Sequence, residues 1–274
     1  MATFLFWNLN RKPLQDQIVT LCREHRVDIL ILAESELSRV ALLEALNGGQ
    51  RAKFKMPFNL SARLSFFIRY PSRCLKSVRD DGGVAVRQFI PPIGLDMLLV
   101  AVHLPSKLYS SESDLAFEST RVAEVIKEAE GKVGHSRTII VGDFNMNPFE
   151  PGVIGARGLH AVMDRRIALQ GDRTIQGERY RFFYNPMWGR LGDKSKGPPG
   201  TYYFNTSNYV NFFWNIFDQV LVRPELLGFF PDDRLEVLST VGERSLLSST
   251  GIPDRSFGSD HLPLLFEVEV EKGI

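Results

Sequence analysis

Cysteine is scarce in this chain, which has only Cys22 and Cys74 among 274 residues. Their positions do not match a zinc site, and two cysteines cannot form the disulfide framework of a small secreted protein. The first residues lack the basic start and apolar segment of a signal peptide. We therefore expect a cytoplasmic protein in a reducing environment.

Long hydrophobic runs are also missing. No segment reaches the ~18 apolar residues of a transmembrane helix, so we expect no stable membrane association. No Pro/Gly/Ser-rich linker of the length that separates domains is present, and there is no internal repeat. With 44% hydrophobic residues the chain can form a large core, and we predict a single domain over residues 1–274. Nothing in the sequence indicates the oligomeric state.

The chain also lacks a strong excess of positive or negative residues. The chain has 33 Lys and Arg against 32 Asp and Glu, a net charge of +1. Its overall field therefore gives little attraction for a polyanion such as nucleic acid. Any such attraction has to come from local basic groups or from a bound metal ion.

Apolar runs and helical spacing predict an alternation of strands and helices. Ser113 is expected to begin the third helix as its N-cap and Gly131 to end it. This mixture predicts an α/β fold with two sheets between helical layers. The predicted strands are 3–8, 27–33, 63–69, 84–90, 96–103, 137–141, 216–222 and 262–270, the helices are 13–26, 38–46 and 114–130, and a long aromatic loop occupies 171–215.

The most informative motif is Gly142-Asp143-Phe144-Asn145, which follows the apolar run 138–141. The glycine allows a sharp turn at the strand end. Asp143 and Asn145 project the same way from an extended segment, so a carboxylate and an amide lie together where α/β folds place their chemistry. An ordinary Asp-containing turn is the commoner use of such residues. The motif therefore needs support from elsewhere in the chain.

Polar residues also flank the other predicted strands. Each alone could be a turn residue, a helix-start acid or a structural histidine. Together they supply oxygen ligands that suit Mg²⁺ or Mn²⁺ rather than zinc, and histidines that transfer protons. The combination indicates metal-assisted attack of water on a phosphate ester. The residues are Asn8, Asn10, Glu34, His103, Asp218 and Ser259-Asp260-His261.

This ordered series resembles the endonuclease/exonuclease/phosphatase superfamily, which includes pancreatic-type DNases, exonuclease III-like repair nucleases, inositol polyphosphate 5-phosphatases and neutral sphingomyelinases. The resemblance extends from Trp7 to Leu265. Its most specific part is the pairing of Gly-Asp-Phe-Asn with a distant Ser-Asp-His. It implies a DNase-like four-layer α/β/β/α sandwich of two mixed sheets, and Mg²⁺-dependent hydrolysis of phosphate esters.

For the metal, the resemblance implies that Glu34 binds a catalytic Mg²⁺ or Mn²⁺. Asn8, Asn10 and Asp260 would lie near the metal or its waters.

For catalysis, the resemblance implies that Asp143 positions or deprotonates the attacking water while Asn145 contacts the phosphate. His261, oriented by Asp218, would contact the scissile phosphate or act as the base. His103 would hydrogen-bond a phosphate oxygen or assist the leaving group. The choice of general base between the aspartate and the second histidine stays open.

The segment after the motif is expected to select the substrate. Between Arg173 and Lys196 there are six basic residues against two acidic ones, interleaved with aromatic residues. Basic groups can hold phosphates while aromatic faces stack on bases, although packing under a long loop would also account for the aromatics. The candidate substrate-binding residues are Lys107, Arg181, Tyr184, Trp188 and Tyr202.

The favoured function is that of a nuclease, which the resemblance implies is an endonuclease, with DNA or RNA as its partner. The alternative is a phosphatase or phosphodiesterase for a small ester such as a nucleotide, phosphoinositide or phospholipid head group. A histidine at position 103 is more similar to the DNase, sphingomyelinase and phosphatase branches than to abasic-site enzymes. A non-catalytic binding module is disfavoured because such a protein would not need the whole polar set.

Overall fold

The computed structural model describes residues 1–49 and 53–271 of the chain. The predicted domain over residues 1–274 extends beyond these ranges, and the single-domain organisation stays a prediction. Within them the helices are α1 (Gln15–Glu24), α2 (Arg39–Asn47), α3 (Glu112–Val133), α4 (Pro151–Ile154) and α5 (Arg165–Ala168). The strands of the same ranges are β1 (Ala2–Asn8), β2 (Ile29–Ala33), β3 (Leu64–Ile68), β4 (Leu75–Asp81), β5 (Val84–Phe89), β6 (Met97–His103), β7 (Thr138–Asp143), β8 (Ala161–Val162), β9 (Asp172–Ile175), β10 (Glu178–Arg181), β11 (Phe183–Tyr184), β12 (Tyr202–Tyr203), β13 (Trp214–Asn215), β14 (Asp218–Val222), β15 (Glu236–Val237), β16 (Thr240–Val241), β17 (Arg244–Ser245) and β18 (Leu264–Val268).

Two mixed sheets form the centre of the described structure. One has the strand order β15-β18-β1-β2-β3, and the other has the order β4-β5-β6-β7-β14-β11-β8. The pairs β1–β2 and β6–β7 are parallel, whereas most of their neighbours pair antiparallel. The remaining strands form the ribbons β9–β10, β12–β13 and β16–β17. No helix in residues 1–49 and 53–271 combines the length and apolar character needed to cross a bilayer.

The sheets pack face to face, and helices cover their outer faces. Along β7, Ile139 and Val141 join the core between the sheets, whereas Ile140 packs in a second cluster against α3. On the opposite side, Ile18 of α1 and Leu42 of α2 pack on the five-stranded sheet. The layers therefore follow the order α/β/β/α, which confirms the expected DNase-like sandwich.

Register in the seven-stranded sheet brings three polar side chains to one edge. The parallel β6–β7 pair places His103 beside Asp143, where both strands end. The antiparallel β7–β14 pair places Asp218, the first residue of β14, on the other side of Asp143. Residues far apart in sequence thus become neighbours through backbone hydrogen bonding alone.

The five-stranded sheet contributes its polar ends to the same region. Parallel pairing of β1 with β2 aligns Asn8 with Ala33, so Glu34 emerges beside Asn8. Strand β18 runs antiparallel to β1 and begins at Leu264, so residues 259–261 precede it at the same edge. The packing of the two sheets then joins both sets of polar residues.

The glycine of the motif has a different role from the one predicted. Gly142 lies inside β7, and a Cβ there would stand 2.0 Å from the carbonyl oxygen of Val102 on β6. It therefore permits the close approach of two strands. The turn itself is made by Asn145, whose φ of 50° is left-handed.

The boundaries of α3 also differ from the prediction. Ser111 is the N-cap and forms a capping box with Asp114, and the helix ends at Gly134 with a left-handed φ of 78°. Ser113 was the wrong choice because the reciprocal bond requires an acidic residue three positions later. Gly131 lies within the helix, which continues for two further residues.

Candidate active site

A buried carboxylate and imidazole pair lies at the centre of the shared edge. His261 Nδ1 is 2.9 Å from Asp218 Oδ2 and 3.1 Å from Oδ1. Thr201 Oγ1 accepts a hydrogen bond from the backbone N–H of Asp218, and Trp7 Nε1 donates to the carbonyl oxygen of His261. The pair is therefore held at both backbone and side chain. It directs His261 Nε2 towards Asp143, whose Oδ2 is 3.9 Å away.

The charge state of this pair follows from its neighbours. Burial alone would lower the pKa of His261, but the negative charges of Asp218 and Asp143 outweigh burial and raise that pKa to about 10. For Asp218, burial raises the pKa of the carboxyl while the His261 charge opposes the rise. The imidazole is thus positively charged at neutral pH, with N–H groups at both ring nitrogens.

The Asp143 carboxylate is oriented by two donors. Its Oδ2 accepts from Asn8 Nδ2 at 2.9 Å, and its Oδ1 accepts from the backbone N–H of Asn145 at 2.8 Å. Asn145 Nδ2 donates to the carbonyl oxygen of Leu104 at 3.0 Å, which ties the exit of β7 to that of β6. Asn145 therefore holds the geometry around Asp143 from both its backbone and its side chain.

Glu34 forms the second acidic centre. Its Oε1 accepts from Asn8 Nδ2 at 3.3 Å and is 3.1 Å from His103 Nε2. The hydrogen bond from His103 lowers the pKa of Glu34 to about 2 and outweighs the effect of burial. Because a carboxylate only accepts, His103 Nε2 carries the proton, and its buried Nδ1 has no partner in the described residues.

The donors around Glu34 fit a hard divalent cation. Glu34 is ionised, and its side chain is 28% exposed with Oε2 facing Arg11 Nε at 3.9 Å. Mg²⁺ is commonly held by one or two carboxylates and keeps several waters, and Asn8 Nδ2 orients the Glu34 carboxylate. Ligand atoms of Asp143, Asp218 and His261 also lie within 4.8 Å of one another. A cation fits that group less well because Asp218 holds Nδ1 of a positively charged imidazole.

Asp260 links the first loop, through Asn10, to the outer rim of the site. Its Oδ2 accepts from Asn10 Nδ2 at 2.8 Å and lies 3.5 Å from Arg255 Nη2. The backbone N–H of Asn10 donates to Asn8 Oδ1 at 3.0 Å. The sequence interpretation missed Arg255, which lies five residues before Asp260 and contacts it, and Arg11, which follows Asn10 in sequence but contacts Glu34.

Two of the predicted substrate-binding residues lie beside the site. Tyr202 stands with its ring 4.6 Å from that of His261, and the backbones of these residues form an antiparallel bridge. Lys107 pairs with Glu150, and its Nζ lies 5.4 Å from the ring centroid of Phe217. The Phe217 ring is in turn 5.2 Å from the Tyr202 ring, so Tyr202, Phe217 and Lys107 form one wall beside the site.

Trp188 belongs to a separate aromatic cluster. Its ring centroid is 6.2 Å from that of Phe149, which is 5.3 Å from Phe212. Phe149 and Phe212 line a cavity of about 390 Å³ together with Lys107. The cluster therefore flanks the wall that carries Lys107, and no ring contact among residues 1–49 and 53–271 joins Trp188 to His261.

Arg181 and Tyr184 lie at the wrong end of the sheet for the role predicted from sequence. Tyr184 is buried on β11 and pairs with Val222, which pairs with Ile139 four residues before Asp143, or ~13 Å along the strand. Arg181 bonds Ser136 and Glu225 near the start of β7. We therefore do not retain either residue as a substrate contact. Their sequence neighbourhood was basic and aromatic, but the chain turns away from the site.

Solved structures with the same fold include several phosphoesterases. The endonuclease domain of TRAS1, a telomere-specific non-LTR retrotransposon, is 14% identical over 99% of this chain and 100% of its own, with a TM-score of 0.53. The 3′ phosphatase NExo from Neisseria, bound to a product DNA hairpin, is 13% identical over 98% and 99%, with a TM-score of 0.56. Danio rerio (D. rerio) TDP2, in complex with a single-strand DNA product, is 14% identical over 97% of both chains, with a TM-score of 0.55.

At these identities the likeness shows the fold. No curated protein matches the chain. The sequence model of the Endonuclease/Exonuclease/phosphatase family, however, matches residues 5–261, which span the polar set from Asn8 to His261. The chain therefore belongs to the Endonuclease/Exonuclease/phosphatase family and is a phosphoesterase of that family.

Proposed function

We propose that this protein is a metal-dependent nuclease that hydrolyses phosphodiester bonds in DNA or RNA. The observation that carries the proposal is the convergence of Asp143, the Asp218–His261 pair and Glu34 where the edges of the two packed sheets meet. A proton acceptor, a cationic hydrogen-bond donor and a metal-binding carboxylate are the groups that water attack on phosphate requires.

In the proposed mechanism, Asp143 orients a water molecule and accepts its proton. The water oxygen forms a bond to phosphorus, and the phosphorus–oxygen bond to the leaving group breaks. His261 Nε2 donates a hydrogen bond to a phosphate oxygen while Asp218 keeps the imidazole in place. Asp143 is preferred as the base because His261 already holds a proton on each nitrogen.

Glu34 is proposed to hold Mg²⁺ or Mn²⁺, with Asn8, Asn10 and Asp260 near the ion or its waters. When bound, the ion would polarise the phosphate and offset its charge. His103 orients Glu34 through the 3.1 Å contact and keeps it ionised. It thereby takes a supporting role in addition to any contact with the leaving group.

Nucleic acid is the preferred substrate class for two reasons. The rim of the site carries cations, among them Lys107 and Arg255, next to the aromatic ring of Tyr202. Such combinations hold phosphates and stack bases. NExo and D. rerio TDP2, which share the fold, were solved with DNA products.

A cytoplasmic location is part of the proposal, supported by the free and buried Cys22 and Cys74.

A small phosphate ester is the second candidate, and one observation favours it. Cations expected to hold a polyanion are already paired within the protein, as in Arg179 with Asp172 and Arg181 with Glu225. Fewer basic side chains are therefore available to contact an extended nucleic-acid backbone. An enzyme with this distribution could hydrolyse a nucleotide, phosphoinositide or phospholipid head group.

The substrate class can be decided by direct comparison. We expect cleavage of plasmid DNA, single-stranded DNA or RNA in the presence of Mg²⁺ or Mn²⁺, analysed on denaturing gels. The same preparation is assayed for phosphate release from mononucleotides and inositol phosphates and for hydrolysis of phospholipids. Turnover of these esters without any cleavage of nucleic acid would reverse the proposed order. The Asp143→Ala protein, prepared identically, controls for contaminating nucleases.

Metal dependence has its own test. We expect EDTA to lower activity by roughly 100-fold or more, because a metal ion stabilises transition-state charge by several kcal/mol. Added Mg²⁺ or Mn²⁺ restores it. Glu34→Gln should raise the metal concentration needed for half-maximal activity. Glu36→Gln is the matched control, since Glu36 also faces Arg11 but is 70% exposed. Full activity after exhaustive chelation, or equal metal requirements for the two variants, would contradict the assignment.

A further inference from the structure

A cavity of about 450 Å³ adjoins the outer rim of the site and has no part in the chemistry described above. Its walls include Tyr203, Phe204, Asn205, Asp254 and Arg255. The volume is in the range of pockets that take small ring systems, roughly 300–1,000 Å³. The walls offer aromatic faces, an amide and one guanidinium group.

One connection to the catalytic groups runs along charged side chains. Arg255 Nη2 lies 3.5 Å from Asp260 Oδ2, which also accepts from Asn10 at 2.8 Å. Arg255 is additionally tied to the first loop because its carbonyl oxygen accepts from Lys12. A molecule in the cavity would therefore contact the same guanidinium that borders the proposed metal site.

A second, independent connection runs along aromatic rings. Phe204 is 6.4 Å from Tyr202 with an interplanar angle of 14°, and Tyr202 is 4.6 Å from His261. Phe217 also stacks with Tyr202, with the ring centroids 5.2 Å apart and an interplanar angle of 22°. Rings held nearly parallel beside a phosphate-binding site are suited to stacking a flat ligand.

The charge of the walls argues against a phosphate as the occupant. Asp254 lines the cavity, its carboxylate is stabilised by Ser256, and this lowers its pKa. Arg255 is shared with Asp260. Asn205, whose Oδ1 accepts from Asn211 at 3.1 Å, presents an amide that suits the edge of a neutral heterocycle.

We propose that this cavity binds the base of a nucleotide next to the scissile phosphate, with the base stacked on Phe204 and bordered by Arg255. The inference rests on the proposed nuclease function and specifies its substrate. A base inside a duplex is paired and stacked, so it cannot enter a side cavity. The substrate is therefore single-stranded or locally unpaired nucleic acid.

The test is a double-mutant cycle that combines a substitution of the Phe204 side chain with removal of one base from the substrate. Phe204→Ala is assayed on single-stranded oligonucleotides and on a series in which a single abasic residue replaces each position around the cleavage site. We expect kcat/KM on the intact strand to fall about 10-fold or more. The loss of kcat/KM caused by Phe204→Ala should become smaller on one abasic substrate only, because in that substrate the wild-type ring has no base on which to stack. Phe204→Tyr keeps the ring and should retain most of the activity.

Phe117→Ala is the matched control, since Phe117 is a 70% exposed phenylalanine on α3 away from the cavity walls. Melting temperatures of all variants exclude unfolding as the cause of a loss. An equal loss for Phe204→Ala at every abasic position, or no loss, would overturn the base-binding inference while leaving the nuclease proposal intact. If the wild-type protein cleaves no nucleic acid at all, the nuclease proposal fails, and this inference fails with it.

Discussion

Asp143→Ala is expected to lower kcat/KM by roughly 10³-fold or more while leaving the protein folded. Asp143 is the only carboxylate that faces His261 Nε2 in the described contacts, and two donors hold it in place. Loss of a positioned general base costs about 10²- to 10⁴-fold. Loss of water orientation adds to that factor.

The same substitution has a modest expected effect on stability. It removes the acceptor of the Asn145 backbone N–H, whereas Asn8 Nδ2 retains its contact with Glu34. A buried donor left without an acceptor costs about 1–3 kcal/mol, against typical domain stabilities of about 5–15 kcal/mol. The variant should therefore melt at a lower temperature but cooperatively.

Asp96→Ala provides a control for the general effect of losing a partly buried carboxylate. Asp96 precedes β6 at the opposite end of the sheet and pairs with Arg137 and His135. We expect this variant to lose stability and to keep its activity. If Asp143→Ala hydrolysed substrate as fast as Asp96→Ala, Asp143 would have no part in the chemistry.

His261→Ala is expected to lower kcat/KM by roughly 10³-fold, because the imidazolium that stabilises phosphate charge is removed and Asp218 is left buried without its partner. Asp218→Asn should also lower activity, because an amide supports neither the charge nor the orientation of the imidazole; an Asp→Asn change beside a catalytic histidine costs up to about 10⁴-fold. The measurement is single-turnover kinetics with each variant saturated with metal. It is combined with thermal unfolding because both residues are buried.

His135→Ala is a closely matched control for this prediction. His135 Nε2 lies 3.0 Å from Asp96 Oδ2, so the molecule carries a second histidine–aspartate pair at the far end of the sheet. Both variants lose a histidine that contacts a carboxylate, but only one pair borders Asp143. Comparable activities for His135→Ala and His261→Ala would contradict the assigned site.

The order of the main strands and helices was predictable because apolar periodicity is a local property. β1, β2, β6 and β7 are preceded or followed by the polar residues that sequence reasoning singled out, and their bounds differ from the predicted ones by a residue or two. The edge strand β4 was missed because its burial is only partial and its sequence is mostly polar. The segment 171–215 was predicted as a loop, yet it contains short ribbons whose pairing depends on distant contacts.

Candidate substrate contacts were harder to predict than the polar residues at the strand ends. Arg181 and Tyr184 satisfied the basic and aromatic pattern, but pairing of β11 with β14 carries them to the start of β7. Neither Arg255 nor Phe204 was among the candidate substrate contacts, although both line the cavity beside the site. Composition identifies groups able to bind phosphate or bases, and it does not state which end of a strand they reach.

The strand-end chemistry could be recognised from the sequence, because a residue at the end of a core strand stays there in any packing of that strand. Asn8, Glu34, His103 and Asp143 are of this kind. The tertiary fold makes these residues converge, because parallel and antiparallel pairing set the register and two packed sheets brought the edges together. It also decided the electrostatics, since the high pKa of His261 arises from two carboxylates distant in sequence and close in space.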